Sequence, residues 1–108
     1  MTPAAQQLAA QALAHLEKAC EYAALDLNED VVLDAIALRL VAMIDQLSKL
    51  PDDIRLQIVG DEWHVMRGMR NRIVHGYATV NPTTVRMTVE AELPTLAFRI
   101  RSYIDSRG

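Results

Sequence analysis

Apolar residues recur at three- and four-residue steps along most of the chain. Leu8, Ala12, Leu13, Leu16, Cys20, Ala23 and Leu27 form one apolar face, which predicts a first helix. Thr2 and Pro3 supply its start, a capping hydroxyl followed by proline at the first helical position. Val32, Ala35, Ile36, Leu40, Met43, Leu47 and Leu50 carry the pattern through a second helix. Asn28 or a neighbouring acid opens it and Pro51 stops it. Pro51, Asp52 and Asp53 begin a short helical segment ending near Gly60. A third main helix is expected over 61–75, with Gly76 as a left-handed stop.

Residues 77–80 then read as a connection, and Asn81 with Pro82 caps a last helical region reaching about Ser106. Pro94 lies inside that region and should kink or divide it. Thr83, Thr84, Val85, Thr88 and Val89 are β-branched, so a short strand competes there. Val85, Val89, Leu93, Leu96, Ile100 and Ile104 nevertheless keep helical steps, and helix is the reading adopted. The sum is one all-α domain over 1–108, an up-and-down helical bundle.

Composition narrows the class. The chain is 51% apolar, yet no apolar run reaches the roughly 18 residues that span a bilayer. Nothing reads as a secretion signal, and the single cysteine, Cys20, allows no intrachain disulfide. A reducing, cytoplasmic setting with no membrane is the expectation. The net charge of −3 hides an asymmetry. Residues 1–63 carry four basic against eleven acidic residues, a net −7, whereas residues 64–108 carry seven arginines against three acids, a net +4. Arginine suits bidentate contact with phosphate. The asymmetry could equally tie two halves of one bundle together.

Chemistry concentrates in the third main helix. At about 100° per residue, Trp63, Met66, Met69, Ile73, Val74 and Tyr77 fall on one side with Arg70 in their midst. His64, Gly68, Asn71 and His75 occupy a polar arc, with Arg67 at its edge and Arg72 further round. A charge aimed at an apolar seam is costly unless paired or opened to an anion. Taken singly, Arg70 reads as half of an ion pair with Asp26, Asp34 or Asp45, and His75 as a helix-terminal histidine. Tyr77 alone is an ordinary half-buried tyrosine, and His15, with no evident partner, reads as surface.

Together, an arginine, an imidazole and a tyrosine in one short window are the parts for cutting RNA without a metal. His75 takes a proton from a ribose 2′-hydroxyl and Arg70 holds the charge on the attacked phosphate. Five residues separate them, about 140° and about 7.5 Å on an ideal helix. One phosphate can be served only if the helix ends near His75 or a second copy completes the site. Scattered histidines and acids offer no zinc or calcium spacing. No glycine-rich phosphate loop or serine-centred nucleophile motif occurs. No cofactor is expected.

The stretch Met69-Arg70-Asn71-Arg72-Ile73-Val74-His75-Gly76-Tyr77 resembles the signature of the HepT-type toxins, within the HEPN group of small all-helical proteins. Trp63 upstream, the turn at Pro51 and the Leu93-Pro94 pair agree with it. The resemblance implies a homodimeric ribonuclease with its groove at the dimer interface, the toxin half of a toxin–antitoxin pair. The implied partner is an MntA-like nucleotidyltransferase antitoxin that transfers AMP onto the motif tyrosine. On this chain it makes Arg70 and His75 the catalytic pair, Asn71 a supporting polar residue and Tyr77 the modified residue. Arg67, Arg72 and His64 are expected to touch the RNA. Many members carry an isoleucine–glycine–glutamate stretch in the second helix; the region expected to align reads Leu40-Val41-Ala42-Met43, so no role for that glutamate is carried over. The rival readings are a non-catalytic HEPN-like subunit that docks a nucleotidyltransferase, and a helical adaptor whose arginines pair with its own acids.

Overall fold

Alanine decides how the first helix packs. In the computed structural model, which describes residues 3–75 and 82–107, helix α1 spans Pro3–Ala23. Its innermost positions are Ala5, Ala9, Ala12, Leu16 and Ala19, with Leu8, Leu13, Cys20 and Ala23 along the margins. The buried stripe is thus turned toward the small residues relative to the expected face. Four of these five positions are alanine, so α1 lies closely against α2 (Asp30–Ser48) and α6 (Leu93–Arg107). Dispersion contacts improve as the backbones approach.

Helix α2 is the centre of the bundle. Val32, Leu33, Ile36, Leu40, Met43, Ile44 and Leu47 are buried on it. Its first turn carries Asp30, which favours the positive end of the helix dipole. Lys49 and Leu50 close the C-terminus with backbone bonds to Gln46 and Leu47 before Pro51 intervenes. Helix α3 (Asp52–Val59) turns the chain, and a 3₁₀ turn over Gly60–Glu62 leads into α4 (Trp63–Val74). Gly60 has φ 68 and ψ −145, a region that side chains with a Cβ avoid. The expected helix over 61–75 therefore starts two residues later and ends one residue earlier.

The last region is helical throughout its described length, as the spacing of its apolar residues requires. Helix α5 (Pro82–Met87) passes into a π-helical turn over Thr88–Glu92 and then into α6. Pro94 explains the division. In a regular α-helix its ring would collide with the carbonyl of Glu90. The wider π turn just upstream gives that carbonyl room. Thr88, buried in this turn, donates its hydroxyl to the carbonyl oxygen of Thr84 at 2.9 Å. Among the described residues there is no strand. No helix is long and apolar enough to cross a membrane.

Two tethers set α4 on α2. Arg55 donates to the carbonyls of Leu50 (2.8 Å) and Ser48 (3.4 Å) and pairs with Asp52. Its guanidinium also lies over the Trp63 ring, 4.9 Å from the centroid. Further along, Arg70 meets Asp45. Contacts advance along α4 as they retreat along α2, so α4 turns back over α2.

Candidate active site

Helix α4 has no buried residue. Trp63, Met66, Met69 and Ile73 are half-covered, and Val65 and Val74 are exposed. Arg70 stands at the edge of this seam, and its Nε donates to Asp45 Oδ1 at 2.9 Å. The pair is open to solvent: the side chains are 32% and 42% exposed. Arg70 Nη1 also donates to Asn71 Oδ1 at 3.5 Å. Asp45 holds the guanidinium by one edge, leaving Nη2 with no protein acceptor among the described residues. Of the three acids considered for Arg70, Asp45 is the one selected. It lies near the end of α2, where a returning α4 must pass.

His75 follows the last residue of α4. Its N–H donates to the carbonyl of Asn71 at 2.9 Å, while its φ of −84 and ψ of 21 depart from the helix. The helix therefore ends just before the imidazole-bearing residue. His75 is exposed, and among the described residues its ring makes no hydrogen bond.

Helical geometry sorts the remaining candidates. At about 100° per residue, Arg67, Arg70, Asn71 and Val74 share one flank of α4. Arg67 and Asn71 are exposed there, within a turn of Arg70. His64 is exposed on the same side as Asn71, about three turns before His75. Arg72 is on the opposite flank. It borders a groove of about 380 Å³ between α4 and the α5–α6 region, floored by Met43, Met66, Met69, Leu93 and Leu96. The structure thus gathers Arg67, Arg70 and Asn71, with His75 at the helix end, and separates Arg72 from them. Tyr77 and Gly76 lie outside the described residues.

Two features go beyond the sequence: it left the first open among three acids and misplaced the second. Asp45 belongs to the site, so a carboxylate does reach Arg70 from the second helix, a few residues beyond Leu40–Met43. The path of α4 back over α2 makes the choice among the three acids. The second concerns His15, which has a partner after all and is half-buried. Its Nδ1 lies 3.0 Å from Arg39 Nη1, and Arg39 Nη2 donates to the Tyr22 hydroxyl at 3.4 Å. These side chains sit two helical turns apart on α1 and face one arginine on α2, a pairing that helical spacing within one element does not reveal.

The family described as Ribonuclease HepT-like matches residues 9–102. The chain belongs to the HepT-like ribonuclease family. The match runs from the alanine face of α1 almost to the end of α6, so this HepT-like fold includes the Arg70–Asp45 pair, His75 and the whole seam of α4. Comparison with curated proteins and with solved structures finds no match.

Proposed function

We propose that this chain is a metal-independent endoribonuclease, the toxin half of a toxin–antitoxin pair, with Arg70 and His75 as its catalytic pair. The observation that carries the proposal is the Arg70 guanidinium: fixed along one edge by Asp45, half-open to solvent, and five residues before an exposed imidazole that makes no hydrogen bond among the described residues. Neutral His75 takes the proton of a ribose 2′-hydroxyl as its oxygen attacks the adjacent phosphorus. Arg70 receives the charge that grows on the phosphoryl oxygens. The bond from phosphorus to the 5′-oxygen breaks, and that oxygen leaves with a proton from water. The products are a 2′,3′-cyclic phosphate and a free 5′-hydroxyl. Asn71 and Arg67 line the approach and hold flanking phosphates or sugars; His64 and Arg72 make more distant RNA contacts.

A homodimer supports this chemistry. Leu38 and Val31 on α2 and Val74 on α4 are exposed apolar residues on the face that carries the Arg70–Asp45 pair. A two-fold pairing of that face covers them and sets two Arg–His sets beside one groove. Control by an MntA-like nucleotidyltransferase through AMP on Tyr77 would add a negative phosphate close to His75 in sequence and compete with RNA by charge and bulk.

Cleavage of a fluorogenic RNA by wild type and by His75→Ala tests the reading. The variant is expected to melt like wild type and to lose cleavage. Equal cleavage by the two proteins refutes the assignment. A folded wild-type protein that breaks no RNA bond under any ionic condition, yet binds a nucleotidyltransferase, would favour the non-catalytic subunit instead.

A further inference from the structure

Arg39, His15 and Tyr22 form a polar cluster on the α1–α2 seam that the proposed cleavage does not use. Arg39 is half-buried, and among the described residues no carboxylate lies within salt-bridge distance of it. Its contacts are both neutral groups: His15 Nδ1 at 3.0 Å and Tyr22 Oη at 3.4 Å. The guanidinium also lies over the Tyr22 ring at 5.9 Å. A partly desolvated charge with only neutral partners is incompletely compensated.

The direction of the hydrogen bonds gives the cluster its chemistry. Arginine has five N–H donors and no acceptor. It must donate to both partners. His15 therefore accepts at Nδ1, which places its own proton on Nε2. Tyr22 accepts at its oxygen, which leaves its O–H proton to point elsewhere. Two acceptors are consumed inside the cluster. What it offers to a ligand beside the guanidinium is donors: the remaining guanidinium N–H groups and the tyrosine O–H, with His15 holding the guanidinium in place through Nδ1 and its Nε2–H directed away from Arg39. A donor-only set around a positive charge matches an oxoanion with several acceptor oxygens.

We propose that Arg39, Tyr22 and His15 form a phosphate-binding site, separate from the Arg70–His75 pair. Its ligand is a phosphoryl group, carried either by a backbone phosphate of bound RNA or by a free phosphate or mononucleotide. The site does not depend on the ribonuclease reading, since none of its groups takes part in that chemistry.

Nuclear magnetic resonance of the full chain, titrated with inorganic phosphate, tests the site directly. Saturable shifts of the His15 ring and the Arg39 and Tyr22 side-chain signals are expected, with shifts at His75 following a separate curve. Tyr22→Phe keeps the ring beneath Arg39 and removes one donor; it should weaken phosphate binding several-fold with an unchanged thermal melt. Arg39→Gln should abolish it. A second arm measures binding of an uncleavable 2′-deoxy oligonucleotide against salt. If RNA supplies the phosphate, Arg39→Gln reduces the salt slope by roughly 0.7, the single-strand value for one contact. If a free phosphate or nucleotide is the ligand, that slope stays the same while the phosphate titration still responds. The absence of saturable shifts at all three side chains, with folded wild-type protein, overturns the proposal.

Discussion

Asp45 makes the arginine of the motif affordable in a half-apolar setting. The pair is too exposed for its loss to cost much stability; partly solvated ion pairs contribute about 0–1 kcal/mol. Its value lies in aim. Asp45→Asn keeps the size and one acceptor oxygen but lets the guanidinium swing. The proposed mechanism then predicts cleavage reduced about tenfold or more, a loss of at least roughly 1.4 kcal/mol in transition-state stabilisation, with unfolding in urea shifted by less than about 1 kcal/mol. A large stability loss with undiminished cleavage would identify the pair as purely structural.

Cys20 gives a second test at this scale. Burial pushes its thiol above the usual range, Glu17 adds to the rise and Arg101 opposes it. The folded chain disfavours the thiolate more than the unfolded chain does. Stability from this group is therefore complete below the ordinary thiol range and declines as pH climbs through and beyond it. Alkylation by iodoacetamide near neutral pH should be slower than for a small free thiol and should accelerate on unfolding.

At the scale of elements, the junction between α3 and α4 is the most constrained turn. Gly60 holds a positive φ there, and the carbonyl of the preceding Val59 accepts from Arg99 Nη1 at 3.4 Å. Gly60→Ala should destabilise the fold by about 1–3 kcal/mol, read from chemical denaturation, because the backbone conformation excludes a Cβ rather than because space is lacking. The Cβ would meet only the flexible tip of Arg99, at 3.8 Å.

Helix periods, the stops at Pro51 and Gly60 and the division around Pro94 were all legible in the sequence, since each rests on local backbone chemistry. The rotation of α1 was not. Alanine and leucine alternate so densely there that several faces qualify, and the choice falls to the helices packed against it. The same holds for the candidate site. The window from Arg70 to His75 stands out in the sequence, whereas the selection of Asp45 over Asp26 and Asp34 depends on the path of α4 back over α2.

For the molecule as a whole, α4 is, among the described α-helices, the one without a buried residue. A helix of twelve residues with no buried position contributes little to the interior of one subunit. The proposed homodimer predicts a mass of twice 12.1 kDa by light scattering. Leu38→Glu, a change at an exposed position of α2, should shift the protein toward monomer and lower cleavage together. A monomeric wild type with full activity would contradict a shared groove.

The methyl-lined side of α1 carries a last consequence. At Ala5, Ala9, Ala12 and Ala19 the allowed vocabulary is set by clearance between neighbouring backbones, not by water avoidance. Glycine or serine can be accommodated at those sites more readily than leucine or valine, although the latter are greasier. In a randomised library selected for folding, this rod should therefore tolerate a modest gain in polarity and reject a modest gain in bulk.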